Sequence, residues 1–180
     1  NEFDVLIAGS GIIGTATALG LSRKGYQVLV VDPLANAGQG TTSSSLAMIR
    51  TQYSSRETTA LAWEGYHCWK NWPDFLNLEI TGPIASFYES GVLTFRTPNN
   101  GFLESQLKFS TELGIPFKIL KKSDLENSFP QWENYSFGPP VSPSDSDFGN
   151  ISNENIEAVF FPNGGYCSDP SLATNNIKMV

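Results

Sequence analysis

The chain reads as short apolar blocks set between glycine, proline and small polar residues, and the first 32 positions carry the clearest rhythm. Phe3-Asp4-Val5-Leu6-Ile7-Ala8 is a β-branched apolar run too short for a helix, which predicts a strand buried on both faces. After Gly9-Ser10-Gly11-Ile12-Ile13-Gly14, residues Ile13, Ala16, Leu19, Gly20 and Leu21 fall at helical spacing, with Arg23 and Lys24 in the last turn and Gly25 as the stop. Tyr26 to Val31 reads as a second buried strand closed by Asp32-Pro33. Strand, helix and strand in so few residues predict a crossover unit with a parallel pair.

Small and polar residues dominate from Leu34 to Ser45, which reads as a loop that wraps something or is wrapped. Ser54 to Phe75 has the pattern of an amphipathic helix, with Leu61, Ala62, Trp69 and Trp72 apolar, Ser54 or Ser55 as cap and Pro73 as terminator. After Pro83 the texture changes. Gly91 to Thr97 predicts a strand, Gly101 to Leu113 a helix ended by Gly114, Pro116 to Leu120 a strand, and Lys122 to Ser128 a short helix that begins through Ser123-Asp124. Gly138 to Asn155, rich in Pro, Ser, Asn, Asp and Gly, reads as a surface loop. Ala158 to Phe161 restores a strand, Asn163-Gly164-Gly165 a turn, and Asp169-Pro170 opens a helix expected to be still running at Val180.

Composition narrows the class. Of 180 residues 40% are hydrophobic, enough for a core, and 16% are charged, well below the usual ~25%. Disorder and coiled coil are excluded as whole-chain readings. The net charge of −7, with no basic block, argues against nucleic acid as a partner. Two cysteines and one histidine make neither a disulfide scaffold nor a metal set, so no metal is expected and a reduced, cytoplasmic setting fits. No run approaches the ~18 apolar residues of a membrane span, so no membrane partner is expected.

The chemistry lies in the first unit. A lone G-x-G-x-x-G is weak, but here a strand precedes it, a helix follows it, and the next strand ends in an acid. Gly9 permits the turn, Gly11 lets backbone approach a pyrophosphate, and Gly14 lets helix lie on strand, with the anion on the helix N-terminus around Ile12 and Ile13. Asp32, followed by Pro33, is placed to accept hydrogen bonds from an adenosine ribose and to repel a 2′-phosphate. Gly40, Thr41, Thr42 and Ser43 offer small residues and donors beyond the adenosine site, where an extended FAD continues; NAD is the weaker choice.

With these motifs the sequence resembles the FAD-dependent D-amino-acid-oxidase-like superfamily, in its glycine oxidase, sarcosine oxidase and dimethylglycine dehydrogenase branches. The resemblance is carried by Asp4 to Gly14, Val31-Asp32, Gly40-Thr41-Thr42-Ser43 with Ile49-Arg50 and Tyr53, Ser90 to Leu93, and Phe161 to Gly165 with Asp169-Pro170. It implies an α/β fold: a Rossmann-like FAD-binding unit with a parallel sheet, plus part of an α+β substrate domain. Residues 1–80 and 158–180 are expected in the first and 81–157 in the second. It implies FAD as cofactor, and hydride transfer from the carbon beside an amine nitrogen of a small amine or amino acid. Arg50 is the position matching an arginine that binds substrate carboxylate, and Tyr53 is a pocket candidate.

The departures narrow this picture. No histidine stands in Ser43-Ser44-Ser45 to attach flavin, Ala47 stands where some relatives carry a second arginine, and Asp32 replaces the usual Glu. The resemblance also implies an N-terminal portion of a longer chain, completed by a C-terminal half or a partner subunit. Two readings stay open: an amine or amino-acid oxidoreductase, and a module or subunit that holds FAD without turnover. An NAD-linked dehydrogenase is a third. His67, Cys68, Cys167 and the tryptophans at helical spacing are read as packing residues.

Overall fold

The computed structural model describes residues 2–77, 82–97, 100–132, 136–138, 141–153 and 156–180. The chain begins with β1 (Val5–Ala8), α1 (Ile12–Ser22), β2 (Val28–Val31) and β3 (Met48–Ile49). It continues through α2 (Arg56–Lys70), α3 (Trp72–Leu76), β4 (Phe87–Tyr88), β5 (Val92–Arg96) and α4 (Phe102–Glu112). Then come β6 (Lys118–Leu120), α5 (Lys122–Ser128), β7 (Ser136–Phe137), β8 (Ile151–Asn153), β9 (Glu157–Phe161), β10 (Gly165–Cys167) and α6 (Pro170–Lys178). The fold class is α/β, as the opening pattern predicts. No described helix is long and apolar enough to cross a membrane.

Contacts group the residues into two units. The first comprises Asn1–Arg50, Glu64–Ser90 and Gly164–Val180. Here β1 and β2 pair in parallel, from Val5 opposite Val28 to Ala8 opposite Val31, with α1 as the crossover. The short β10 lies antiparallel between β3 and β4, with Tyr166 opposite both Met48 and Tyr88. Leu19 of α1, Trp72 and Leu76 of α3, Ala85, Cys167, and Ala173 and Ile177 of α6 form its core. A buried polar side chain joins them at low cost because it is satisfied: Asn176 accepts from Ala85 N–H at 2.9 Å and donates to the Pro83 carbonyl at 3.1 Å.

The second unit comprises Thr51–Trp63 and Gly91–Asn163. Its sheet has β9 in the middle, antiparallel to β5 and β6, which explains why Ala158, Val159 and Phe161 are fully buried. Leu103 and Leu107 of α4 pack with Val159 and Phe161. Arg96 of β5 pairs with Glu157 of β9 at 3.5 Å, and Arg56 with Glu112 at 3.4 Å.

Several expectations are corrected. β1 and β2 are not buried on both faces: Leu6, Leu29 and Val31 are exposed, because the described sheet has two strands and α1 covers one side. Pro73 does not end α2; it sits in the first turn of α3, where its missing N–H costs nothing. The expected 138–155 loop contains β8, which pairs with β7, and residues 139–140 and 154–155 of it lie outside the described set. Gly165 belongs to β10 rather than only to a turn, and α6 ends at Lys178. Segment 51–63, expected with the first 80 residues, groups with the second unit, as do 158–163, whereas 82–90 group with the first.

Candidate functional site

The glycine turn between β1 and α1 is built so that side chains do not fit. Gly9 has φ +104°, a conformation that L side chains rarely adopt. A Cβ on Gly14 would lie 1.9 Å from the Gly9 carbonyl oxygen, so the helix can approach the turn this closely only with glycine there. The turn is fastened to β2 by Gly9 N–H to the Val31 carbonyl at 2.7 Å.

Asp32, at the end of β2, anchors the other side of the turn. Its carboxylate accepts Ser10 N–H at 2.6 Å through one oxygen and Leu34 N–H at 2.8 Å through the other. The two backbone donors, Ser10 first, hold its pKa below the ordinary aspartate value by favouring the charged form. Pro33 follows, exposed.

The small polar loop returns to the same place. Gly38 N–H donates to the Ser10 carbonyl at 2.9 Å, and buried Thr42 accepts Ile12 N–H at 3.1 Å. Gly11, the N-terminal flank of α1, has no side chain with which to cap the helix, so the Thr42 hydroxyl takes one first-turn donor. A Cβ on Gly11 would stand 3.0 Å from that hydroxyl.

Two cavities flank the turn. One of about 600 Å³ is lined by Gly9, Gly11, Ile12, Ile13, Gly14, Thr41 and Thr42, together with Ala47, Met48, Ile49, Trp69, Cys167 and Pro170. The other, about 530 Å³, is lined by Ser10, Asp32 and Leu34 to Ala37 on one side and by Ile177 and Lys178 of α6 on another. Of the cofactor residues expected from sequence, Gly9, Gly11, Ile12, Ile13, Gly14, Thr41 and Thr42 thus share one wall, and Asp32 faces the second space. Gly40 and Ser43 are exposed, with the Ser43 hydroxyl donating to the Gly40 carbonyl at 2.8 Å. Arg50 follows β3 directly and is exposed. Tyr53 belongs to the second unit, where its N–H donates to Thr59 Oγ1 at 3.3 Å and its carbonyl accepts from the same hydroxyl at 3.2 Å.

Sequence reasoning missed the part of the cavity wall supplied from far along the chain. Trp69, Cys167 and Pro170 arrive through α2, β10 and the start of α6. The one local signal was Asp169-Pro170, a cap and first-turn proline, and Asp169 does cap α6 by accepting Ser171 N–H at 2.8 Å and Leu172 N–H at 2.9 Å. Burial pushes the thiol pKa values of Cys68 and Cys167 up, so both stay protonated and unreactive near neutrality.

A family model for FAD dependent oxidoreductases matches residues 4–178. The chain belongs to that family. Among relatives of this chain, a Dictyostelium discoideum protein provisionally named a bifunctional amine oxidase is 25% identical over 186 residues, covering 99% of this chain and 15% of that one. The structure of L-proline dehydrogenase from P. horikoshii superposes with TM-score 0.72 at 19% identity, covering 99% of this chain and 41% of that one. Glycine oxidase from Geobacillus kaustophilus gives 0.68 at 22% identity, over 97% and 43%. The chain therefore spans less than half the length of these relatives.

Proposed function

We propose that this chain is the cofactor-holding part of an FAD-dependent oxidoreductase that oxidises the C–N bond of an amino acid or of a secondary or tertiary amine, of the sarcosine or glycine type. One observation carries the cofactor half of this reading: the sterically closed Gly9–Gly14 turn presents the start of α1, where Gly11 offers no side-chain cap, to a cavity that the Thr41-Thr42 loop also lines. Backbone N–H groups at a helix N-terminus favour an anion, so the Gly11 and Ile13 N–H groups would meet the pyrophosphate beside Ile12, whose own N–H is held by Thr42.

Asp32 keeps capacity for the adenosine ribose. A carboxylate offers about four lone-pair sites, and Ser10 and Leu34 occupy one on each oxygen. Its charge, secured by those donors, would repel a 2′-phosphate. Gly40, Thr41, Thr42 and Ser43 would follow the cofactor beyond its pyrophosphate. When bound, FAD supplies the hydride acceptor, and the oxidised amine leaves as an imine that water hydrolyses. Arg50 would hold a substrate carboxylate, since a guanidinium pairs bidentately and keeps its charge at every working pH.

The test is the visible spectrum of the intact purified protein, read before and after anaerobic addition of glycine, sarcosine, proline and D-alanine in turn. Oxidised-flavin bands that bleach with one of these support the reading, and their absence removes it. Arg50→Ala should then raise KM for carboxylate-bearing substrates far more than for simple amines.

A further inference from the structure

Trp69, in the cavity wall, begins a stack of rings. Trp69 lies on Trp72 with ring centroids 4.5 Å apart and planes 16° from parallel, and Trp72 lies on Phe75 at 5.5 Å and 23°. The guanidinium of Arg23 lies over the Phe75 ring, its central carbon 5.0 Å from the ring centroid and one nitrogen bonded to the Phe75 carbonyl at 2.6 Å. All four residues belong to the first unit. Core packing explains a buried Trp72, but it does not require two indoles face to face at one wall of a cofactor cavity, because aromatic pairs are as well packed edge to face.

The stack has the electronic order of a donor with a closed end. Indole is among the most easily oxidised side chains, and near-parallel overlap lets two indoles share a positive hole. Phe75 is far harder to oxidise. The Arg23 cation over its ring raises the cost further, since a hole on Phe75 would sit beside a like charge. Trp72 is 4% exposed, and its Nε1–H finds no acceptor among the described residues. Among the described residues no acceptor stands ready to take the proton of an oxidised Trp72 indole, so it would persist as the cation and could be refilled.

We propose that Trp69 and Trp72 form a two-indole, reversible one-electron donor to an oxidising cofactor in this cavity, a role that rests on the FAD reading above. With FAD bound and excited by light, Trp69 would give up one electron to it and become a cation radical. Trp72 would then give one electron to Trp69, so that the hole rests on Trp72. Return of the first electron to Trp72 would restore every partner, with no proton moved and no external reductant used.

The experiment is time-resolved flavin fluorescence and transient absorption after a blue flash, on the intact protein loaded with FAD. The wild type should show strongly shortened flavin fluorescence and a tryptophan cation-radical transient. Trp69→Phe, which keeps a ring in the wall, should lengthen the fluorescence lifetime several-fold and abolish the transient. Trp72→Phe should keep the short lifetime but make the radical pair recombine several-fold faster. An unchanged lifetime in Trp69→Phe at equal bound-flavin absorbance overturns the donor role alone, and this measurement decides the matter even where Trp72→Phe fails to fold. Protein that never shows bound-flavin bands overturns the FAD reading and the donor role together.

Discussion

The carboxylate of Asp32 receives the Ser10 N–H at 2.6 Å, so an acid at the end of β2 holds the middle of the glycine turn 22 positions earlier. Its second oxygen holds Leu34 N–H, and both bonds favour the ionised form. A folded-state pKa below the unfolded one means that the unfolded chain binds the proton first as pH falls. The stabilisation is complete above the ordinary aspartate pKa and is lost as pH drops through the lowered folded value. Asp32→Asn should therefore be less stable than wild type at neutral pH, with the two curves converging in acid. Urea midpoints measured from neutrality into the acid range check this, and curves that stay parallel would show that Asp32 does not anchor the turn through its charge.

Two glycines of α1 should respond oppositely to one methyl group. At Gly14 a Cβ meets the Gly9 carbonyl oxygen at 1.9 Å, and the obstacle is backbone, which cannot swing aside. Gly14→Ala should cost about 1–3 kcal/mol, as overpacking does. At Gly20, in the same helix, nothing lies within 4 Å of the new Cβ. Gly20→Ala should gain about 0.4–1 kcal/mol by restricting the unfolded chain. Denaturant midpoints of the two variants check the sign, and a stabilised Gly14→Ala would contradict the described turn.

Much of this site was legible because it is local. The run Val5 to Ala8, the glycine spacing and Asp32 fall within one crossover, so composition and period specify them together. The remainder is held by contacts that no window of sequence contains. β3 and β4 have two residues each and β10 three, too few for any period, and they exist because β10 lies between the other two. Thr42 was a candidate as a loop hydroxyl, but its bond to Ile12 spans 30 positions. Trp69 carries a core-like helical spacing and gave no sign that it borders a cavity. Exposed Leu6 and Leu29 read as buried because an apolar run looks the same whether one face or both are covered.

Thr42 ties the polar loop to the start of α1, and the tie is one hydroxyl. Thr42→Val keeps the shape but leaves Ile12 N–H without its acceptor at a part-buried position, a loss of about 0.5–1.5 kcal/mol. Thr42→Ser keeps the oxygen and should recover most of it. Thermal melts order the three proteins, and FAD titration should follow the same order, because the loop and the helix N-terminus line one cavity. A Val variant equal to wild type in both would mean that the hydroxyl is not what joins them.

The cap of α6 is the remaining place where one side chain supports both core and cavity. Asp169 Oδ1 accepts the Ser171 and Leu172 N–H groups, and Pro170 fills the next position, where its lack of an N–H is harmless. Ala173 and Ile177 of this helix lie in the core with Leu19 of α1, and Pro170 borders the glycine-lined cavity. Removing the cap frees two donors and loosens the first turn, so Asp169→Ala should cost about 0.5–2 kcal/mol. Asp169→Asn and Asp169→Ser retain an acceptor oxygen and should keep the capping contribution itself, which separates capping from mere bulk. The carboxylate also interacts favourably with the helix N-terminus, so the Asn variant should fall slightly below wild type, by about 0.3–1 kcal/mol, and the gap should shrink in high salt. Urea denaturation of the four proteins at low and high ionic strength decides between these contributions. If Asp169→Ala matched wild type, α6 would be held by its apolar face alone.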